Sequence, residues 1–76
     1  MSRNLDTMTL RLQQDVPVAE ASLDSALIAV STLMTSVVTA RQRVGVAPKT
    51  GQASILRLAK AQLSLVEVSG DVLRVH

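Results

Sequence analysis

ASILRLAKAQLSLVEVSGDVLRVH, residues 53 to 76, leaves room for water along only two of its seven helical columns. Lys60, Glu67 and Arg74 share one column and Arg57, Ser64 and Asp71 the adjacent one, while the other five hold mostly Ile, Leu, Val and Ala. One neighbouring helix covers one side of such a helix and no more. The chain has 76 residues, near the size at which a lone core is marginal, and no cysteine to add a disulfide. Association between chains is the expected route to stability.

Immediately upstream, VGVAPKTGQ (residues 44–52) is the one concentrated turn signal. Gly45 is placed to end a helix, Val46 supplies the apolar residue of a Schellman-type stop, and Pro48 prevents continuation. Thr50 is placed to cap the helix that follows. Before the turn, Asp15 reads as an N-cap with Pro17 in the first turn, where its missing donor costs little. Acidic Asp15, Glu20 and Asp24 near that start, and Arg41 and Arg43 near the end, complement the macrodipole. The reading is therefore all-α: one helix over about residues 16–44, a second over about 51–75, antiparallel across a short loop. Residues 1–14 form an N-terminal arm and residues 15–76 the hairpin.

On the first helix Val16, Leu23, Leu27, Val30, Met34, Val37 and Val44 recur at steps of three and four, interrupted only by Glu20 and Arg41, as in a heptad seam. Beside them run Ala19, Ala26, Leu33 and Ala40, then Ser22, Ala29 and Ser36, a face that permits close helix approach. On the second helix the expected inward seam is Leu56, Ala59, Leu63, Val66, Gly70 and Leu73. That choice leaves Leu58, Leu65 and Val72, flanked by Ala61, Val68 and Val75, for another chain. The expected oligomer interface is thus Leu58, Leu65, Val72 and Val68 with Ala26 and Leu33 of the first helix, closing a homodimeric four-helix bundle. Gly70 costs about 1 kcal/mol of helix propensity and marks close backbone contact, a kink or a helix end.

The arm admits two readings. Thr7, Met8, Thr9, Leu10, Arg11 and Leu12 alternate as in a strand, which is slightly preferred, whereas Leu5, Met8 and Leu12 align on a helix. A strand here pairs only across a symmetry axis or with another protein. Strand followed by two helices resembles, in order of elements, the ribbon-helix-helix DNA-binding dimers. That resemblance implies Thr7, Thr9 and Arg11 facing DNA and Met8, Leu10 and Leu12 facing a core. The sequence departs from the family in its first helix, which is far longer.

Hydrophobic residues make up 47% of the chain and none is aromatic, so the core is aliphatic and suited to closely packed helices. Without cysteine, thiol chemistry and thiolate metal sites are excluded. His76 is the single histidine and no base-orienter pair accompanies it, so no catalytic residue, cofactor or metal is assigned and a non-enzyme is expected. Asp15, Glu20, Asp24, Glu67 and Asp71 collect toward the open end of the hairpin but read as dipole complement rather than metal ligands. APKTGQ lacks the order of a phosphate loop. Charges at Arg3, Asp6, Arg11 and Asp15 rule out a secretory signal, and the uncharged run Ser25–Ala40 has 16 residues, six of them Ser or Thr, short for a membrane span. A cytoplasmic protein without a membrane span is expected.

Charge is segregated. Arg41, Arg43, Lys49, Arg57 and Lys60 give the loop end +5, whereas Asp15, Glu20, Asp24, Glu67 and Asp71 against Arg74 give the open end −4. Basic residues at the start of the second helix oppose its own dipole, so local helix stability does not account for them. Two uses compete. Antiparallel association of hairpins sets each basic tip near an acidic base; alternatively, these five residues, with the amides of Gly51 and Gln52, hold an anion such as nucleic-acid phosphate, an acidic protein or a lipid headgroup. The absence of aromatic stacking platforms argues against single strands. A non-catalytic interaction or scaffold module is the expected function, its partner a second copy or another helical protein, with a small DNA-binding or regulatory protein as the alternative.

Overall fold

A computed structural model describes residues 2–75, and they form two α-helices, α1 (Ser2–Val44) and α2 (Gln52–Leu73), packed as an antiparallel hairpin. Gly45 ends α1 with a φ of 70°, its N–H donating to the Gln42 carbonyl at 3.3 Å. The loop tightens through Thr50 N–H to the Ala47 carbonyl at 2.9 Å and Gln52 N–H to the Lys49 carbonyl at 3.1 Å. Thr50 is not the cap of α2. Gly51 occupies that position with a φ of 78°, a conformation that suits glycine, and its carbonyl accepts the first intrahelical bond from Ile55 at 3.0 Å.

The arm corrects the strand reading. Residues 2–14 continue α1 without a break, Pro17 lies inside the helix rather than in its first turn, and Asp15 caps nothing. No strand occurs among the described residues, so the order of elements shared with ribbon-helix-helix dimers is lost. The physical reason is local. A lone strand leaves a row of backbone groups unpaired, whereas a helix pairs them internally, and the Thr7 and Thr9 hydroxyls add bonds to the Arg3 and Leu5 carbonyls at 2.9 Å each.

On α1 the inward seam is the expected one. Val16, at 8% exposure, is the one buried hydrophobic residue among the described residues, and Leu23, Leu27, Val30, Met34 and Val37 are half-buried. Val44 departs from the seam: Arg41 already reaches Gln52 at the start of α2, so Val44 has passed beyond it and is 72% exposed.

On α2 the expected seam is reversed. Ile55, Leu58, Gln62, Leu65, Ser69 and Val72, again at steps of three and four, are half-buried, as are the small Ala61 and Gly70 beside them, and Gln62 donates to the Ser31 hydroxyl of α1 at 2.9 Å. Leu58, Leu65 and Val72 therefore face α1, and Leu56, Leu63, Val66 and Leu73 face solvent. The outward stripe is the more apolar of the two; the inward one carries Gln62, which is partnered by Ser31 of α1, and Ser69, and the wholly apolar stripe is left outside.

The molecule is a rod. Its extents are 65 × 15 × 11 Å and its radius of gyration 18.6 Å, against about 11 Å for a compact chain of this length. The 43 residues of α1 span the long dimension while the 22 of α2 cover about 33 Å, so the first dozen residues of α1 overhang.

Candidate interaction surfaces

The hairpin presents apolar surface on both flanks of its seam. In an α-helix, residues three and four apart share a face, so the α2 stripe Leu56, Ala59, Leu63, Val66, Gly70 and Leu73 is one continuous flank. Its four large members are 53–59% exposed. In an antiparallel pair the same flank is completed by Ile28 of α1, at 68% the most exposed isoleucine or leucine. The other flank carries Leu33, Val68 and Val75, and the line of the α1 seam itself continues along the overhang through Leu5, Met8 and Leu12, all exposed. Of the six residues expected at an oligomer interface, Leu33 and Val68 remain exposed, Ala26 is half-buried, and Leu58, Leu65 and Val72 are taken by the intramolecular seam.

Solvent-accessible area quantifies the surplus. The chain exposes 6110 Å², whereas a compact monomer of 8.1 kDa exposes about 4,500 Å². The difference, about 1,600 Å² per chain, falls in the range that one protomer of an obligate dimer covers.

The basic tip is divided by its geometry. Arg41 is half-buried and turned into the loop, its guanidinium donating to the Pro48 carbonyl and, at 3.4 Å, to the Gln52 side-chain oxygen. The Gln52 amide is likewise committed to Lys49. Arg41 and the Gln52 amide thus hold the turn closed and leave the anion-binding set expected from sequence. Arg43, Lys49, Arg57 and Lys60 stay exposed, Arg43 beside a shallow groove of Thr35, Ser36, Thr39, Ala40 and Val44 on α1 and Arg57 and Lys60 one turn apart on α2.

At the opposite end Arg74 pairs with Asp71 at 3.4 Å on the exposed side of α2. Among the described residues no group of three or more histidine, cysteine or acidic side chains is gathered closely enough to hold a metal ion, and His76 lies outside the described residues. The α1 helix contains an 18-residue stretch of mean hydropathy 1.5, long and apolar enough by length and composition to cross a membrane, none of it buried in the hairpin.

Two features escaped the sequence: the Gln62–Ser31 pair and the loop-closing role of Arg41. A glutamine flanked by Ala61 and Leu63 gives no sign of which stripe it joins, and Arg41 reads as a break in a seam until the loop folds over it. No protein-family model, curated protein or solved structure matches the chain.

Proposed function

We propose that the chain is a non-catalytic, cytoplasmic interaction or scaffold module that works as a helical homo-oligomer, with an antiparallel four-helix bundle as its unit. The observation that carries this reading is the surplus of about 1,600 Å² of exposed surface on a hairpin with a single buried hydrophobic side chain among the described residues. Leucine and valine at 53–59% exposure along one stripe of α2 do not serve a monomer in water. Antiparallel packing also keeps the two +5 tips at opposite ends, whereas parallel packing sets them together. The overhanging Leu5, Met8 and Leu12 then extend from the bundle as an amphipathic helix suited to the groove of another helical protein.

Light scattering behind size-exclusion chromatography at low micromolar concentration tests the reading. A mass of at least twice 8.1 kDa is expected. A compact, stable monomer overturns it.

The exposed Arg43, Lys49, Arg57 and Lys60 favour a second reading, a small duplex-binding protein that uses its tip. Changing Arg43, Lys49 and Arg57 together to Gln then weakens DNA binding and flattens its salt dependence; no binding by the parent chain at low salt removes this reading.

A further inference from the structure

We infer that the second copy docks end for end on the exposed α2 stripe, so that Leu56 meets the partner's Leu73, Ala59 the partner's Gly70 and Leu63 the partner's Val66. The inference rests on the self-association proposed above and adds its face and register. The stripe is self-complementary under reversal about the point midway between Ser64 and Leu65. Each large side chain then meets a large one and each small one a small one, which an antiparallel two-fold contact requires.

Charge follows the same reversal. Beside the stripe, on the side away from α1, lie exposed Lys60 and Glu67, and the register that pairs the apolar residues brings Lys60 within about 3 Å, along the axis, of the level of the partner's Glu67, and Glu67 equally near the partner's Lys60, within reach of these long side chains. Antiparallel helices juxtapose equivalent flanks, so opposite charges face each other in both copies.

Gly70 gives a further argument. It sits inside α2, where glycine weakens a helix, yet beyond its chain neighbours and the backbone of its own helix no atom lies within 4 Å of where a side-chain carbon would stand. Nothing within the hairpin requires that glycine. A second backbone approaching at the partner's Ala59 uses the space.

The α1 helix fits the same axis. Gln62 lies level with Ser31, and Gln52 level with Arg41, so the midpoint of 64 and 65 lies level with Ile28. Ile28 is on the same flank, 68% exposed, and the two-fold axis brings it against the partner's Ile28. The four helices then close as a square, with α1 beside the partner's α1 and α2 beside the partner's α2.

Cysteine cross-linking of the full chain tests the register, because the chain has no cysteine of its own. A Leu56→Cys/Leu73→Cys double variant is expected to give a covalent dimer on mild oxidation. Leu56→Cys alone gives none, since the two copies of residue 56 lie about 25 Å apart along the axis, and Ile28→Cys alone links to itself. All three positions are exposed, and far-UV circular dichroism confirms that each variant retains the parent helicity. Efficient linking of Leu56→Cys alone establishes parallel packing and overturns the inference. A dimeric mass without links in either the double variant or Ile28→Cys overturns the register while self-association stands; a monomeric parent overturns both. Absence of links with the protein co-floating on phosphatidylcholine vesicles assigns the stripe to a membrane and overturns it as well. An independent readout is charge reversal: Lys60→Glu weakens dimerisation about tenfold, and adding Glu67→Lys restores it. No rescue in the double variant overturns the register even where cross-linking is ambiguous.

Discussion

Arg41 and Arg43 sit two positions apart with the same charge, and their neighbours give them different work. Arg41 ties the end of α1 to the loop through the Pro48 carbonyl and to the start of α2 through Gln52, while Arg43 stands exposed on the outer side of α1. With the Pro48 carbonyl and the Gln52 side chain exposed to water, charge-assisted hydrogen bonds of this kind are together worth about 0.5–1 kcal/mol. Arg41→Ala is therefore expected to lower unfolding stability by about that amount, and Arg43→Ala to change it by less than about 0.5 kcal/mol, the usual range for an exposed side chain. Urea denaturation of the two variants at equal protein concentration checks the contrast. Equal effects show that the loop contacts do not hold the turn. The difference is invisible in RQR, because the partners of Arg41 arrive from seven and eleven residues downstream only after the chain reverses.

Element by element, legibility followed how many readings a pattern allowed. On α1 one large aliphatic stripe runs at three-four spacing through the hairpin region, and the Val16 to Val37 seam is where the spacing predicts. The turn was equally legible, since Gly45 and Pro48 restrict the backbone strongly. On α2 two apolar stripes compete, and hydrophobicity alone points to the one with no polar member; the fold instead seats Gln62 against Ser31 and turns the purely apolar stripe outward. That choice places Leu58, Leu65 and Val72, three of the six residues of the expected interface, in the intramolecular seam. In the arm, TMTLRL alternates and also carries Leu5, Met8 and Leu12 on one helical face, so propensity decided nothing and internal backbone pairing did. A consequence is testable by truncation. Residues 3–8 are exposed and lie beyond the groove lined by Thr9, Leu12, Gln13, Val16 and Val75. Deleting residues 2–8 is expected to leave the oligomeric mass unchanged and the thermal midpoint within about 2–4 °C, the shift produced by roughly 1 kcal/mol in a dimer of this size. Halving of the mass shows that the arm is exchanged between copies instead.

For the molecule as a whole, a two-helix rod with one buried hydrophobic residue among those described has little of the core that makes small domains fold alone. Covering about 1,600 Å² per chain adds apolar burial that the monomer lacks, and it adds it only when two chains meet. Folding is then coupled to association, and stability depends on protein concentration by mass action. Raising the concentration from 1 to 100 µM stabilises the dimer by about 2.7 kcal/mol, because each tenfold step contributes about 1.4 kcal/mol. Two chains of 76 residues respond to 1 kcal/mol with about 2–4 °C, so the thermal midpoint is expected to rise by roughly 5–10 °C over that interval. The sign is diagnostic: a chain stable as a monomer shows no shift, and aggregation of an unfolded chain lowers the midpoint at higher concentration. Circular dichroism melts at matched heating rates, with reversibility checked by cooling, read the difference. A constant midpoint would mean that the leucine stripe of α2 faces water in the working protein, and the inferred dimer seam would fall with it.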